Sequence, residues 1–258
     1  MGAVRLCGVD VWFADGPHVL HGLDLDIGVG EHWALLGPNG AGKSTLLALA
    51  GAQRHPSAGT VDVLGERLGR VDLRMLRERI GTVDPRLRMP AELSVADYVL
   101  TGVGQTVQLR PGRYDDVDRA RVGVLLRRFG LHGLADRSIA VCSQGERARA
   151  RVARALASAP RLVLLDEPAS GLDLPGRADL LAAIETLPAE DAELTTVTVA
   201  HHLEELPATT THVALLRDGR FVATGRAELL HDDAALSRCF DRPIHAFTVD
   251  GRWYASVQ

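Results

Sequence analysis

Gly37-Pro38-Asn39-Gly40-Ala41-Gly42-Lys43-Ser44-Thr45 is the stretch from which the rest of the chain can be read. It fits the pattern G-x-x-x-x-G-K-[ST]. His32-Trp33-Ala34-Leu35-Leu36 reads as a short buried strand entering it, and Ser44 to Ala50 as a helix leaving it. The glycines let successive backbone N–H groups converge into a nest for phosphate oxygens at a helix N-terminus. Lys43 is placed to reach the β- and γ-phosphates, and the Ser44 hydroxyl to ligate Mg²⁺. Of the 29 Lys plus Arg residues, 28 are arginine, so Lys43 is the only lysine. A compact ammonium stands where a planar guanidinium would crowd the nest. The plain alternative is a glycine turn that merely caps a helix; the strand–loop–helix setting weighs against it.

Upstream, Val4 to Val11 reads as a strand. Leu23, Leu25 and Ile27 alternate with Asp24 and Asp26, the period of a strand with one wet face, so an antiparallel layer precedes the loop. Trp12 and Phe13 close the first strand. One of them can stack on an adenine ring or simply pack in the turn, and Phe13 is the better candidate. Downstream, Gly59–Leu64 and Arg79–Val83 read as strands, with a short helix from Asp72 to Glu78 between them.

Residues 86–160 are mostly helical. Ser94-Val-Ala-Asp97 opens a helix, 102–112 is a loop, and Val122, Leu125, Leu126 and Phe129 form one apolar stripe. Ser143 is an N-cap with Glu146 at the capping-box position of an Ala/Arg-rich helix. Arg147, Arg149, Arg151 and Arg154 on that helix have no interleaved aromatics, which favours solvation or subdomain contacts over nucleic acid. Strands resume at Leu162-Val-Leu-Leu165, which ends in Asp166-Glu167-Pro168. An acid ending a buried strand beside a phosphate loop can hold Mg²⁺, here Asp166, and Glu167 stands where a base for an attacking water belongs. The strand Thr195–Ala200 ends in His201-His202, either of which can sense a γ-phosphate or simply pack.

The whole chain has 258 residues, 46% hydrophobic and 24% charged, with a formal net charge of −4. That is the make-up of a globular protein with a sizeable core, and it disfavours nucleic-acid binding through a general basic surface. No apolar run approaches the length of a membrane span, and the N-terminus carries no signal-peptide pattern. Cys7, Cys142 and Cys239 are odd in number and far apart, which suggests a reducing compartment and neither disulfides nor a metal cluster.

In order and spacing these motifs resemble the nucleotide-binding subunit of an ATP-binding cassette (ABC) transporter over roughly residues 3–225, and more loosely the molybdate- and iron-complex importer branch. Cys142-Ser143-Gln144-Gly145-Glu146 is similar to the family signature Leu-Ser-Gly-Gly-Gln, Ser170-Gly-Leu-Asp173 to its D-loop, and His201 to its switch histidine. The resemblance implies an α/β fold: a phosphate-loop NTPase core of mainly parallel strands, an antiparallel β subdomain and a helical insertion at about 86–160. It further implies ATP and Mg²⁺ as cofactors. Two copies would pair head to tail, with Ser143, Gln144, Gly145 and Glu146 facing the opposite nucleotide. Separate membrane permease chains, and a place on the cytoplasmic face of the cell membrane, follow from the same resemblance. One departure concerns the metal: the family's glutamine after the strand Arg79–Val83 is replaced by Asp84-Pro85, so Asp84 is a candidate oxygen ligand. Residues 226–258 form an extension, a helical segment and then a hairpin turning at Asp250-Gly251. Two other classes stay open: a cassette ATPase outside transport, and a nucleotide-gated regulator with weak hydrolysis.

Overall fold

Residues 2–13, 16–106, 108–110 and 112–257 are described by the structure, a computed structural model. In chain order they form β1 (Val4–Trp12), β2 (His18–Ile27), β3 (His32–Leu36), α1 (Lys43–Ala50), β4 (Ala58–Val63), β5 (Glu66–Arg67), α2 (Leu73–Glu78) and β6 (Ile80–Val83). The middle of the chain supplies α3 (Val95–Leu100), α4 (Asp116–Arg128), α5 (Gln144–Leu156), β7 (Leu162–Asp166), α6 (Leu174–Glu185) and α7 (Leu187–Glu190). The last third supplies β8 (Thr195–Val199), β9 (His212–Arg217), β10 (Arg220–Arg226), α8 (Asp233–Phe240), β11 (Ile244–Val249) and β12 (Arg252–Val257).

Two sheets carry the fold. The first runs β2-β1-β4-β5 and is antiparallel throughout. Its alternation is the one read from the sequence: Leu23, Leu25 and Ile27 are buried and Asp24 and Asp26 face water. The second runs β10-β9-β3-β8-β7-β6; its four pairings from β9 to β6 are parallel, and only β10 joins antiparallel. Strands β3, β7 and β8 are buried at every position, as expected for a parallel sheet covered on both faces. This is the α/β arrangement of a mainly parallel core and an antiparallel β layer that the resemblance implied.

Between β6 and β7 the chain builds the helical region. Asp115 caps α4 and Ser143 caps α5, each in a reciprocal capping box. Val122, Leu125, Leu126 and Phe129 join one hydrophobic cluster with Ala148, Val152 and the β7 residues Val163 and Leu165. The arginines of α5 make subdomain contacts: Arg154 Nε donates to Thr101 Oγ1 at 2.9 Å, and Arg149 reaches Asp179 at 3.4 Å. Within the loop expected at 102–112, Val107 and Pro111 lie outside the described residues.

The C-terminal hairpin packs on the core. Asp250 and Gly251 both have positive φ, 50° and 75°, so the turn curls in the sense that suits twisted strands. Ala246 belongs to a cluster with Ala200, Leu203, Leu206 and Leu236, and Arg252 bonds Glu185 at 3.1 Å. Helices α6 and α7 have no counterpart in the sequence reading, and two further details differ from it. The segment after Arg226 begins as a tight 3₁₀ turn, Ala227–His231, before α8. Strand β9, fully buried at Val213–Leu216, was not anticipated; it lies between β3 and β10. No described helix is long and apolar enough to cross a membrane.

Candidate functional site

Parallel strands send their carboxyl ends to one edge of a sheet, where ligands of open α/β folds bind. The phosphate loop follows β3, His201 follows β8, Asp166 and Glu167 end β7, and Asp84 follows β6. Residues up to 164 positions apart in sequence therefore meet at one edge of adjacent strands.

The loop itself needs its glycines. Gly37 has φ 155° and Gly42 φ 104°. A Cβ on Gly37 would overlap the backbone carbonyl of Leu216, and one on Gly42 would press on Leu20. Gly42 is also the left-handed residue from which α1 starts, leaving the first N–H groups of that helix free of a side-chain cap. Lys43 is only 5% exposed, and its ammonium folds back onto the Gly37 and Pro38 carbonyls at 2.7 and 3.0 Å. Burial lowers its pKa, while Glu167 and Asp166 pull it back up. Pro38, Asn39, Gly40, Ala41, Ser44 and Thr45 complete the loop and the first turn, with Ala41 N–H closing on Pro38 O at 3.2 Å.

Asp166 is the side chain best fitted to hold a cation. Its Oδ1 is buried without any hydrogen-bond partner, and Oδ2 takes the Arg86 guanidinium at 3.1 Å. Burial pushes its carboxyl above the usual carboxylate range, against the pull of the Ser44 hydroxyl beside it and of Arg86. A buried, half-satisfied carboxylate next to a hydroxyl fits a hard divalent ion such as Mg²⁺. Arg86 was not singled out from the sequence. It bridges Asp166 and Asp84, holding Asp84 Oδ1 at 2.9 Å. Burial would raise the Asp84 carboxyl, yet the bonds from Arg86 hold it below the usual range. Gln105 is excluded as a replacement for the family's glutamine: its amide bonds the Arg77 and Ile80 carbonyls, at the opposite end of β6.

Glu167 and His201 are in contact, with His201 Nε2 2.6 Å from Glu167 Oε1 and both side chains about one quarter exposed. Glu167 has φ 50°, a left-handed conformation that costs a residue with a Cβ on the order of 1 kcal/mol. Its N–H is tied to Val199 O at 3.1 Å, which ties this strained residue to the end of β8. The histidine loop has its own anchor, also missed in the sequence. Buried Glu205 accepts the backbone N–H groups of His201 and His202 at 3.1 and 3.4 Å. An acid four residues after His201 was the available signal, but strand-end periodicity does not show which way it points.

Ser143, Gln144, Gly145 and Glu146 start α5. Ser143 Oγ accepts the Glu146 N–H, and Glu146 Oε2 accepts the Ser143 N–H at 2.6 Å, so the Glu146 carboxylate turns back on its own helix. That backbone bond holds its pKa low. Gln144 shares a cavity of about 250 Å³ with Glu167, Pro85 and Ser170. Asp173 caps α6 by accepting the Gly176 N–H at 3.0 Å, where α5 and α6 approach through Gly145 and Gly176. Phe13 is 42% exposed, and the Arg54 guanidinium lies over its ring at 4.1 Å from the centroid.

A family model described as ABC transporter matches residues 20–170, more than half of the chain. The cobalt import ATP-binding protein CbiO of Rhodobacter capsulatus is 38% identical over 239 residues, covering 90% of this chain and 81% of that protein. Among solved structures, cbiO1 of Clostridium perfringens, described as part of the ABC transporter complex cbiONQ, superposes with a TM-score of 0.79. It shares 26% identity and covers 92% of this chain and 93% of its own. The ATP-binding cassette MJ0796, a dimer in a post-hydrolysis state bound to ADP and phosphate, gives 0.75 at 25% identity over 86% and 98% of the two chains. The chain belongs to the ABC transporter family, as an ATP-binding subunit that hydrolyses ATP to energise transport.

Proposed function

We propose that this subunit drives import by closing head to tail on a second copy of itself around two ATP molecules, with hydrolysis at the end of β7. The observation that carries it is the 2.6 Å contact between Glu167 and His201 beside the phosphate loop. The Gly37–Thr45 backbone and Lys43 hold the β- and γ-phosphates, and Phe13 stacks on the adenine. Ser44 and Asp166 hold Mg²⁺, with Asp84 as a further oxygen ligand once Arg86 moves aside. Bound there, Mg²⁺ neutralises charge developing on the β- and γ-phosphate oxygens. Glu167 accepts a proton from the water that attacks the γ-phosphorus, while the bond to the β–γ bridging oxygen breaks and leaves ADP. His201 donates to the γ-phosphate, and Glu205 keeps its loop in place. Across the interface, Ser143 and the N–H groups of Gln144 and Gly145 meet the other copy's γ-phosphate, and Asp173 lines the same seam.

The side-chain pairings at the site support this reading. Lys43 on loop carbonyls, Arg86 on Asp166 and His201 on Glu167 are each contacts that a phosphate, a cation or a water would replace. A groove of about 400 Å³ between the core and the helical region, lined by Gln53, Arg77, Gln105 and Arg154, suits a helix of a separate membrane permease. Such a partner sets the subunit on the cytoplasmic face of the membrane. Residues 1–225 then form the ATPase unit, 86–160 its helical insertion and 226–258 an extension. The Asp84-Pro85 and Ser143–Glu146 departures keep the molybdate- and iron-complex branch as our reading of the subfamily. Import is supported by the name of the R. capsulatus relative.

The test pairs two experiments. Wild type should release phosphate from Mg·ATP far faster than Glu167→Gln, and equal rates refute the role of Glu167. Affinity purification from detergent-solubilised native membranes should recover a multi-spanning chain; recovery of only water-soluble partners refutes transport.

A further inference from the structure

Asp10, His18 and His21 lie on the β1–β2 hairpin, outside every role described above. One ligand atom from each, a carboxylate oxygen and two ring nitrogens, falls within 4.8 Å of the others. His18 Nε2 is 2.8 Å from Asp10 Oδ1, and the two imidazole centroids are 3.9 Å apart.

A regular strand cannot make this cluster. Residues 18 and 21 are three apart, and a period of two sends them to opposite faces. Strand β2 breaks the period twice. Trp12 pairs with His18 and Val11 with Leu20, and then Val9 pairs with Leu23, so β2 carries an extra residue in each interval. Gly22 at φ 57° lies in the second interval. Bulges re-aim side chains and are concentrated next to functional sites. Here they turn both histidines toward Asp10.

The donors are also held from behind. Asp10 Oδ1 accepts the Gly22 N–H at 3.1 Å, and the His21 N–H donates to Gly219 O at 2.9 Å, in the turn between β9 and β10. The His18 and Asp10 side chains are 41% and 27% exposed, so an ion has a path in. Bonds of about 2.1 Å at tetrahedral angles hold neighbouring donors about 3.4 Å apart, so the Asp10–His18 pair, at 2.8 Å, needs to open only slightly to admit an ion.

We propose that Asp10, His18 and His21 form a binding site for a divalent transition-metal ion of the Zn²⁺, Co²⁺ or Ni²⁺ class, completed by water. Two imidazoles and one carboxylate favour these ions over Mg²⁺ and Ca²⁺, which take oxygen donors. The ion cross-links β1 to β2 and, through His21, braces the β9–β10 turn beside the phosphate loop.

Calorimetric titration of the full chain with Zn²⁺ tests this in wild type, His18→Ala, His21→Ala and the control His132→Ala. Wild type and the control should bind one ion. Each hairpin variant should bind more weakly, by at least the roughly tenfold that losing even an outer-shell partner costs. Zn²⁺ at a concentration that saturates wild type should raise its Tm by about 5 °C and that of the two hairpin variants by clearly less. Circular dichroism establishes that the variants are folded. Co²⁺ should quench tryptophan fluorescence in wild type and much less in Trp12→Phe, since Trp12 packs edge-on against His18 at 5.6 Å. Absence of stoichiometric binding overturns the proposal. So does binding that survives in His18→Ala and His21→Ala, or equal competition by Mg²⁺.

Discussion

At the close of β7, Asp166 Oδ1 is buried with no partner, and Glu167 sits at positive φ leaning on His201. At the start of α5, the Ser143 and Glu146 side chains satisfy each other's backbone N–H groups in ordinary helix-cap geometry. Both segments are proposed to face a γ-phosphate, one in its own chain and one in the partner copy. The difference teaches where each spends stability. The β7 end keeps polar groups unsatisfied and backbone strained, as a site does when a ligand must complete it. The α5 start is complete beforehand and offers only the N–H groups of a helix terminus.

The comparison breaks most visibly at Glu167. Glu167→Gln should lower kcat by about 10² to 10⁴, the usual worth of a positioned general base, in a phosphate-release assay. A loss under tenfold would put the β7 end on the same footing as the signature. Asp166→Asn comes next. The difference in ATP affinity between Mg²⁺ and EDTA buffers should shrink by more than about tenfold, or 1.4 kcal/mol, in equilibrium binding. The same variant should melt higher than wild type near neutral pH. The sign follows from its raised pKa: the folded chain favours the protonated acid, so that stability is present at low pH and lost as pH rises through the raised value. The gain in Tm should therefore fade on acidification.

Backbone strain is sharpened by comparing Glu167→Gly with Glu167→Ala, both inactive. The glycine variant should be more stable by about 1 kcal/mol in urea denaturation, because only alanine pays for positive φ. On the α5 side, Ser143→Ala should cost about 1 kcal/mol of stability, a normal N-cap loss. Glu146→Gln should cost only a few tenths of that scale, and the cost should vanish in acid. Glu146 has a depressed pKa, so its contribution stands above the ordinary carboxylate range and disappears as pH falls through the lower folded value.

Much of this was legible in the chain because it depends on neighbours in sequence. The loop at Gly37–Thr45, the capping box at Ser143–Glu146, the hairpin turn at Asp250-Gly251 and the strand ending in Asp166 all rest on short-range chemistry. Strand β9 escaped because a short fully buried run looks the same in a strand and in a buried helix. Arg86 escaped because a lone arginine in a Pro-rich turn carries no period. Its partner Asp166 is 80 residues away. Glu205 and the metal-binding candidates on the hairpin escaped for related reasons: an acid folding back on a loop, and bulges that break the alternation used to assign faces.

The sequence by itself determined most of the elements, the phosphate nest and the chemistry at each strand end, since helix caps, turns and strand periods are set within a few residues. Only the tertiary structure decided which of those ends meet, that Arg86 occupies the carboxylates expected to hold Mg²⁺, and that Glu167 is strained against His201. Those facts depend on parallel strand order, which brings distant strand ends to one edge, and on burial, which gives an unpaired charge its cost.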